Sequence, residues 1–207
     1  MYMTRMELDT DRRATVLALA SPNLLHGAIE SAFPGGRKRR LWRVDPLNGR
    51  QYLLIVSEDR PDLTAAHAQF GVAGGRWETR DYAPFLSRIE AGSRWHFRLA
   101  ANPTISKAKN PGQRGRVYAH ITADQQKNWL LSRAEKHGFQ LEESEFDIVS
   151  RGVLTFSKGA ERRRVTLGVC TFEGCLHVSD AELFRAALTE GLGRGKAYGV
   201  GLLTIAP

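Results

Sequence analysis

The densest set of groups able to meet an anion lies in the last seventeen residues, Gly191 to Pro207. Five glycines, Arg194 and Lys196 precede an apolar run there. Glycine tolerates positive φ and close backbone approach, so such a loop can turn N–H groups toward an anion while the two cations supply opposite charge. Two familiar phosphate loops fail. Walker A requires a glycine where Glu190 stands and a Ser or Thr where Ala197 stands, and in G-x-G-x-x-G read from Gly191 the third glycine falls on Lys196. A glycine-rich helix stop before a closing strand remains the plain alternative. Among the histidines, His26 sits on the outer side of a well-marked helix. His96 lies on a strand, His137 in a helix C-terminal turn, and His67, His120 and His177 carry no motif.

The charge points the same way. The 207 residues carry a formal charge of +8 with a pI near 9.9, mostly through arginine, the side chain suited to bidentate phosphate binding. It clusters in Arg37-Lys38-Arg39-Arg40 with Arg43, in Lys107, Lys109, Arg114 and Arg116 with no acid between, and in Arg162-Arg163-Arg164. Acids gather apart from these, at Glu142, Glu143, Glu145 and Asp147. Such segregation fits a basic face for a polyanion better than an evenly salted surface. No apolar run approaches twenty residues and no signal-peptide pattern opens the chain, so a cytoplasmic protein is expected. Cys170 and Cys175 lack zinc spacing and histidine partners, and are expected reduced and packed.

These residues need elements to position them. Residues 2 to 8 alternate as a strand. Ser21-Pro22 then starts a helix as N-cap and first helical position, with Leu24, Leu25, Ala28, Ile29, Ala32 and Phe33 as its buried stripe and Asn23, His26, Gly27 and Glu30 opposite. Pro34-Gly35-Gly36 ends it. Strands over 39–44 and 51–56, a short helix marked by Leu63, Ala66 and Phe70, and a strand over 95–99 complete a βαββαβ unit. That order is ferredoxin-like, or RRM-like. Residues 1–101 are thus an N-terminal unit, 102–115 a basic linker and 116–207 a second unit. The second begins with a strand over 116–122 and a helix capped by Thr122 and Gln125. Strands over 139–150, 152–156 and 164–172, a helix capped by Ser179 and Glu182, and a last strand over 200–205 follow. The fold class expected is α+β, a tandem ferredoxin-like pair ending in a Gly-rich loop.

Five segments carry a family resemblance: Leu24-Leu25-His26 with Phe33-Pro34, Phe97-Arg98-Leu99 with Asn102-Pro103, Trp129-Leu130, Thr171-Phe172-Glu173-Gly174, and Gly191 to Pro207. In order and spacing the chain resembles the CasE-type CRISPR repeat endoribonucleases of the type I-E system. The resemblance implies an enzyme that binds a CRISPR repeat hairpin, cuts at the 3′ base of its stem without metal or cofactor, and keeps company with Cascade subunits. It makes His26 the general base, since an imidazole of pKa near 6.5 is mostly neutral in the cytosol. Relatives often carry tyrosine where this chain has Asn23, which can orient a phosphate or hydroxyl but cannot donate a proton as tyrosine does. The acid or charge stabiliser is then expected among Arg37, Lys38 and Lys196. RNA backbone is assigned to Arg37, Arg39, Lys107, Lys109, Arg114, Arg116, Arg162, Arg163 and Arg164, and to Gly193, Arg194, Gly195, Lys196, Gly199 and Gly201 of the loop. Base stacking on the sheets is not expected, because no RNP1 match exists. Two other readings stay open: a guide-RNA hairpin scaffold without catalysis, and a general basic RNA-binding protein.

Overall fold

Strand β1 (Tyr2–Leu8) is followed by α1 (Arg13–Ala20), α2 (Pro22–Ser31), β2 (Arg40–Leu47), β3 (Arg50–Ser57), α3 (Thr64–Phe70), β4 (Trp77–Asp81) and the single turn α4 (Ala83–Leu86). Then come β5 (Arg94–Ala101), β6 (Thr104–Lys107), β7 (Arg116–Ala119), α5 (Ala123–Ala134), β8 (Phe139–Gln140), β9 (Phe146–Lys158), β10 (Arg163–Val178), α6 (Ala181–Glu190) and β11 (Leu203–Ala206). This computed structural model describes residues 1–36, 38–108, 110, 113, 115–158 and 163–207.

Both expected ferredoxin-like units form, but they divide the strands differently. The first sheet has the order β2-β3-β1-β4, all antiparallel. Its closing strand is Trp77–Asp81, not 95–99 as expected. Trp77 is the one apolar residue of β4, so the sequence lacks the hydrophobic alternation that marks a half-buried strand. The alternating run Trp95, Phe97 and Leu99 lies in β5, which is central to the second sheet, of order β11-β5-β10-β8 with β9 also on β10. Alternation shows that one face is buried but not against which sheet. The boundary expected at residue 101 is therefore corrected, since the second unit's sheet already starts at Arg94. The expected linker is corrected too. Thr104–Lys107 pairs with Arg116–Ala119 as a separate two-stranded ribbon between β5 and α5, and Arg116 belongs to that ribbon rather than to the main sheet.

Local signals explain the rest. Asn48 and Gly49, with φ of 50° and 76°, make the tight turn joining β2 to β3. Thr122 and Gln125 form the reciprocal capping box of α5. At α6 the cap is Asp180, whose side chain accepts from Leu183 N, rather than Ser179. Residues 146 to 158 run as one strand through Gly152, where a break was expected, because the β10 register continues across it.

The first core gathers Met6, Leu25, Ile29, Trp42, Leu53, Ile55 and Phe70, and the second Phe97, Leu99, Trp129, Phe172, Phe184 and Leu188. Leu41, Val56, Tyr82 and Leu202 pack in the seam between the sheets. Burial there pushes the Tyr82 phenol up to about 12. A polar strut crosses the same seam. Arg43, 1% exposed, donates from Nη1 to Arg98 O at 2.9 Å and Leu202 O at 2.6 Å, and from Nη2 to Thr204 Oγ1 at 2.7 Å. Asp45 accepts from Arg43 Nε at 2.7 Å and Arg98 Nε at 3.1 Å, while Arg98 also pairs with Glu173. Two of the segments that carry the family resemblance, around Arg98 and Glu173, thus meet at the joint between the units. Cys170 and Cys175 are free and buried, as expected.

Candidate active site

Helix α2 starts with Pro22 at its first position, where a fixed φ and a missing N–H cost nothing. Leu25 and Ile29, 2% and 1% exposed, dock into the first core and set the roll of the helix. Leu24, expected in that stripe, is 46% exposed instead. The roll puts His26 and Glu30 on one side, four residues apart, with His26 Nδ1 4.0 Å from Glu30 Oε1.

His26 does not face open solvent. Its ring meets that of Tyr198 edge-on, with centroids 6.2 Å apart and planes at 67°. Tyr198 closes a 3-10 turn, Lys196–Tyr198, that packs against α2 and β2. On its other side the Tyr198 ring lies 4.7 Å from Phe156 of β9. The opposite ends of the chain thus meet at the histidine. Sequence reasoning places Tyr198 in the loop but misses it as a site residue, because no periodicity links it to position 26.

The loop glycines have packing reasons. A Cβ on Gly199, at φ +78°, would lie 2.8 Å from the Trp42 ring, and one on Gly193, at φ +79°, would lie 2.9 Å from Trp129. The loop is a strap laid across one tryptophan from each unit. Gly195 also packs against Val200, and Gly201 donates from N to Ala100 O at 2.6 Å. Between these contacts Arg194 stays exposed and Lys196 is half-buried. Burial, and after it the charge of Arg39, pushes the Lys196 ammonium below the usual lysine pKa, with Glu190 pulling the other way.

The cations at 38–40, contiguous in sequence, disperse in space. Arg40 turns inward, its side chain 3% exposed, with Nη1 2.6 Å from Glu30 Oε2 and its guanidinium 4.2 Å over the Phe33 ring. Arg39 reaches the loop, donating from Nη1 to Glu190 O at 3.5 Å. Lys38 is exposed and engaged by Asp59 at 3.0 Å and Glu58 at 3.3 Å. Its pKa is raised, chiefly by the hydrogen bond to Asp59. Arg37 lies outside the described residues, as do Lys109, Arg114 and Arg162. The acceptor oxygen of Asn23, Oδ1, is buried without a hydrogen-bond partner among the described residues.

Elsewhere on the surface, Lys107 and Arg116 face each other across the ribbon, both exposed, with Arg116 5.5 Å over the Tyr118 ring. Arg164 is exposed on β10 opposite Ser157, and Arg163 opens that strand. A groove of about 520 Å³ bounded by His96, Arg98, Glu173 and Thr204 contains none of the residues around His26. Cavity size therefore does not locate this site, and a duplex-sized polyanion does not need an enclosed pocket. No helix among the described residues is long and apolar enough to cross a membrane.

Comparison with known proteins places the arrangement in a family. The profile described as CRISPR associated protein matches residues 1–207. The CRISPR-associated endoribonuclease Cse3 of Thermus thermophilus is 33% identical, with 100% of both chains covered. A structure of CRISPR endoribonuclease Cse3 bound to a 19-nucleotide RNA superposes with a TM-score of 0.83 at 30% identity, covering 100% of each chain. Thermus thermophilus Cse3 bound to an RNA representing a pre-cleavage complex gives 0.81 at 29% identity, covering 100% of this chain and 98% of that one. With the profile spanning every residue and the two-unit fold shared from end to end, this chain belongs to the CRISPR-associated protein family and is an endoribonuclease of the Cse3 (CasE) type.

Proposed function

We propose that the chain binds the hairpin of a CRISPR repeat transcript and cuts it at the 3′ base of the stem by attack of the substrate's own 2′-hydroxyl, without a metal ion. The observation that carries this is the meeting of His26 with the Lys196–Tyr198 turn, which puts an imidazole and a cation of lowered pKa on adjoining elements. His26 takes the 2′-hydroxyl proton as the 2′-oxygen bonds to phosphorus. The bond from phosphorus to the 5′-oxygen breaks, and that oxygen leaves with a proton from Lys196. A 2′,3′-cyclic phosphate and a 5′-hydroxyl result. A proton donor works best with a pKa near the working pH, so a lysine below its ordinary value suits the role. The same ammonium offsets charge building on the phosphorane. Lys38, already engaged by two carboxylates, is the weaker candidate for that work. The amide of Asn23 orients the phosphate or the hydroxyl.

The stem is gripped through its phosphates, because A-form RNA hides its major-groove base edges from side chains. Lys107, Arg116, Arg164, Arg194 and Arg39 serve that grip, joined by Arg37, Lys109, Arg114, Arg162 and Arg163. The loop glycines keep the strap close to the protein, with Arg194 exposed on it and Lys196 half-buried beside it. The RNA-bound Cse3 structures support RNA as ligand. We further assign the chain to the cytoplasm, as a subunit of a CRISPR surveillance complex that keeps its product.

The test is cleavage of an end-labelled repeat hairpin in excess EDTA, beside a substrate with one 2′-deoxy nucleotide just 5′ of the scissile bond. Cutting of the first alone is expected. Tight binding without cutting would favour a scaffold role, the reading that Asn23 at the family's tyrosine position supports.

A further inference from the structure

His26 is not the only member of its group whose chemistry is constrained. Glu30 lies one helical turn beyond it and has its two oxygens divided between two partners: Oε1 is 4.0 Å from His26 Nδ1, and Oε2 is 2.6 Å from Arg40 Nη1. Arg40 is itself fixed. Its guanidinium covers the Phe33 ring at 4.2 Å, donates from Nη2 to Gly36 O at 3.2 Å, and is 3% exposed. The carboxylate therefore cannot swing away from the imidazole without breaking a buried charge pair. The Tyr198 ring meets the same imidazole edge-on.

We propose that Glu30, locked by Arg40, is the positioning residue of His26: it faces Nδ1, keeps the proton on that nitrogen, and so presents Nε2 as the acceptor for the substrate proton. An imidazole's two nitrogens divide donor and acceptor roles, and a partner at one decides what the other can do. The pair stands at ion-pair range rather than hydrogen-bond range. Catalytic contacts are often long without substrate and shorten in the complex. The inference rests on His26 being the base, as argued above, and adds the residue that orients it. Among the described residues, the charged and titratable groups at His26 include Glu30, with Arg40 behind it, and Tyr198, whose turn also carries Lys196.

The experiment follows the His26 ring protons by NMR titration in the free full-length protein, and single-turnover cleavage of the repeat hairpin against pH, in wild type, Glu30→Gln and Arg40→Met. Glutamine keeps a hydrogen bond to Arg40 but removes the charge beside the imidazole. The His26 titration should then move down by about half a pH unit or more, as expected for a unit charge at this distance near a protein surface. The acid limb of cleavage should move down with it, and the plateau rate should fall several-fold with hairpin affinity unchanged. Arg40→Met leaves the carboxylate unneutralised and should move the titration up. Opposite shifts from two neighbouring substitutions are not what loss of packing alone would produce. An unmoved His26 titration in Glu30→Gln overturns the inference. A titration that moves while the acid limb of cleavage stays in place overturns the assignment of His26 as base, leaving the contact between Glu30 and His26 intact.

Discussion

Two arginines of β2, Arg40 and Arg43, each close on a carboxylate, and the difference between the two pairs separates holding the molecule together from working on a substrate. Odd spacing on a strand sends them to opposite faces. Arg43 enters the seam, where its donors end on Asp45, two backbone carbonyls and Thr204, tying the first unit to the second. Arg40 goes to the helix face, where its carboxylate, Glu30, is 29% exposed and turns one oxygen toward a half-buried imidazole. A saturated buried pair has nothing left to offer a ligand. A pair that ends on a histidine at the surface can pass its orientation to a reacting group.

The sharpest break in this comparison is expected from His26→Ala. Cleavage should fall by about 10²–10⁴-fold, the usual worth of a general base, with thermal stability and hairpin affinity nearly unchanged in binding and melting assays. Arg43→Met should do the reverse. Removing one partner of a buried ion pair costs about 3–5 kcal/mol, so the melting temperature should drop by roughly 10 °C, while the fraction still folded at low temperature cuts normally. Should Arg43→Met abolish cutting in folded protein, the division of labour between the two arginines would be wrong.

Gly199→Ala tests the strap that joins the regions. An alanine at φ +78° would place its Cβ 2.8 Å from the Trp42 ring, and the backbone conformation alone costs about 1–2 kcal/mol. Because Tyr198 is the preceding residue, cleavage should slow several-fold along with the loss of stability seen by melting. The smallest expected effect is a change in a pH profile. With its pKa lowered by burial and by Arg39, Lys196 loses its charge at a lower pH than a free lysine. Cleavage should therefore decline on the alkaline side as pH rises through that lowered value. Lys196→Arg stays charged and is a poor proton donor. It should lower the plateau and remove the alkaline decline, and an unchanged alkaline limb would exclude Lys196 as the titrating group.

Local rules read well where the signal is itself local. Ser21-Pro22 opens α2, Thr122 and Gln125 box the start of α5, and Leu25 and Ile29 bury the helix that carries His26. Ownership of strands read poorly. Trp95, Phe97 and Leu99 alternate correctly yet serve the second sheet, and the polar run Trp77–Asp81 closes the first with no hydrophobic pattern to announce it. Strand pairing is a long-range choice made by whichever edge is open and by the packing of helices over it, and neither is written in the strand's own periodicity. The cluster at 37–40 misled for a related reason. It reads as one basic patch, but Lys38, Arg39 and Arg40 take three different environments once the chain leaves the helix.

Composition and spacing alone determined that this is a basic α+β chain of two repeated units, with a histidine off the buried stripe of a helix opened by Ser21-Pro22 and a cationic glycine loop at its end. These follow from charge count, periodicity and turn chemistry, which act over a few residues. Tertiary structure alone decided that Tyr198 and Lys196 lie against the helix of His26, that Glu30 is held by Arg40 beneath it, and that Arg43 works in the seam instead. Those placements depend on how two sheets face each other and on a strap packed over Trp42 and Trp129. Contacts between residues far apart in the chain form only where the whole core positions both partners, so no window of sequence contains them.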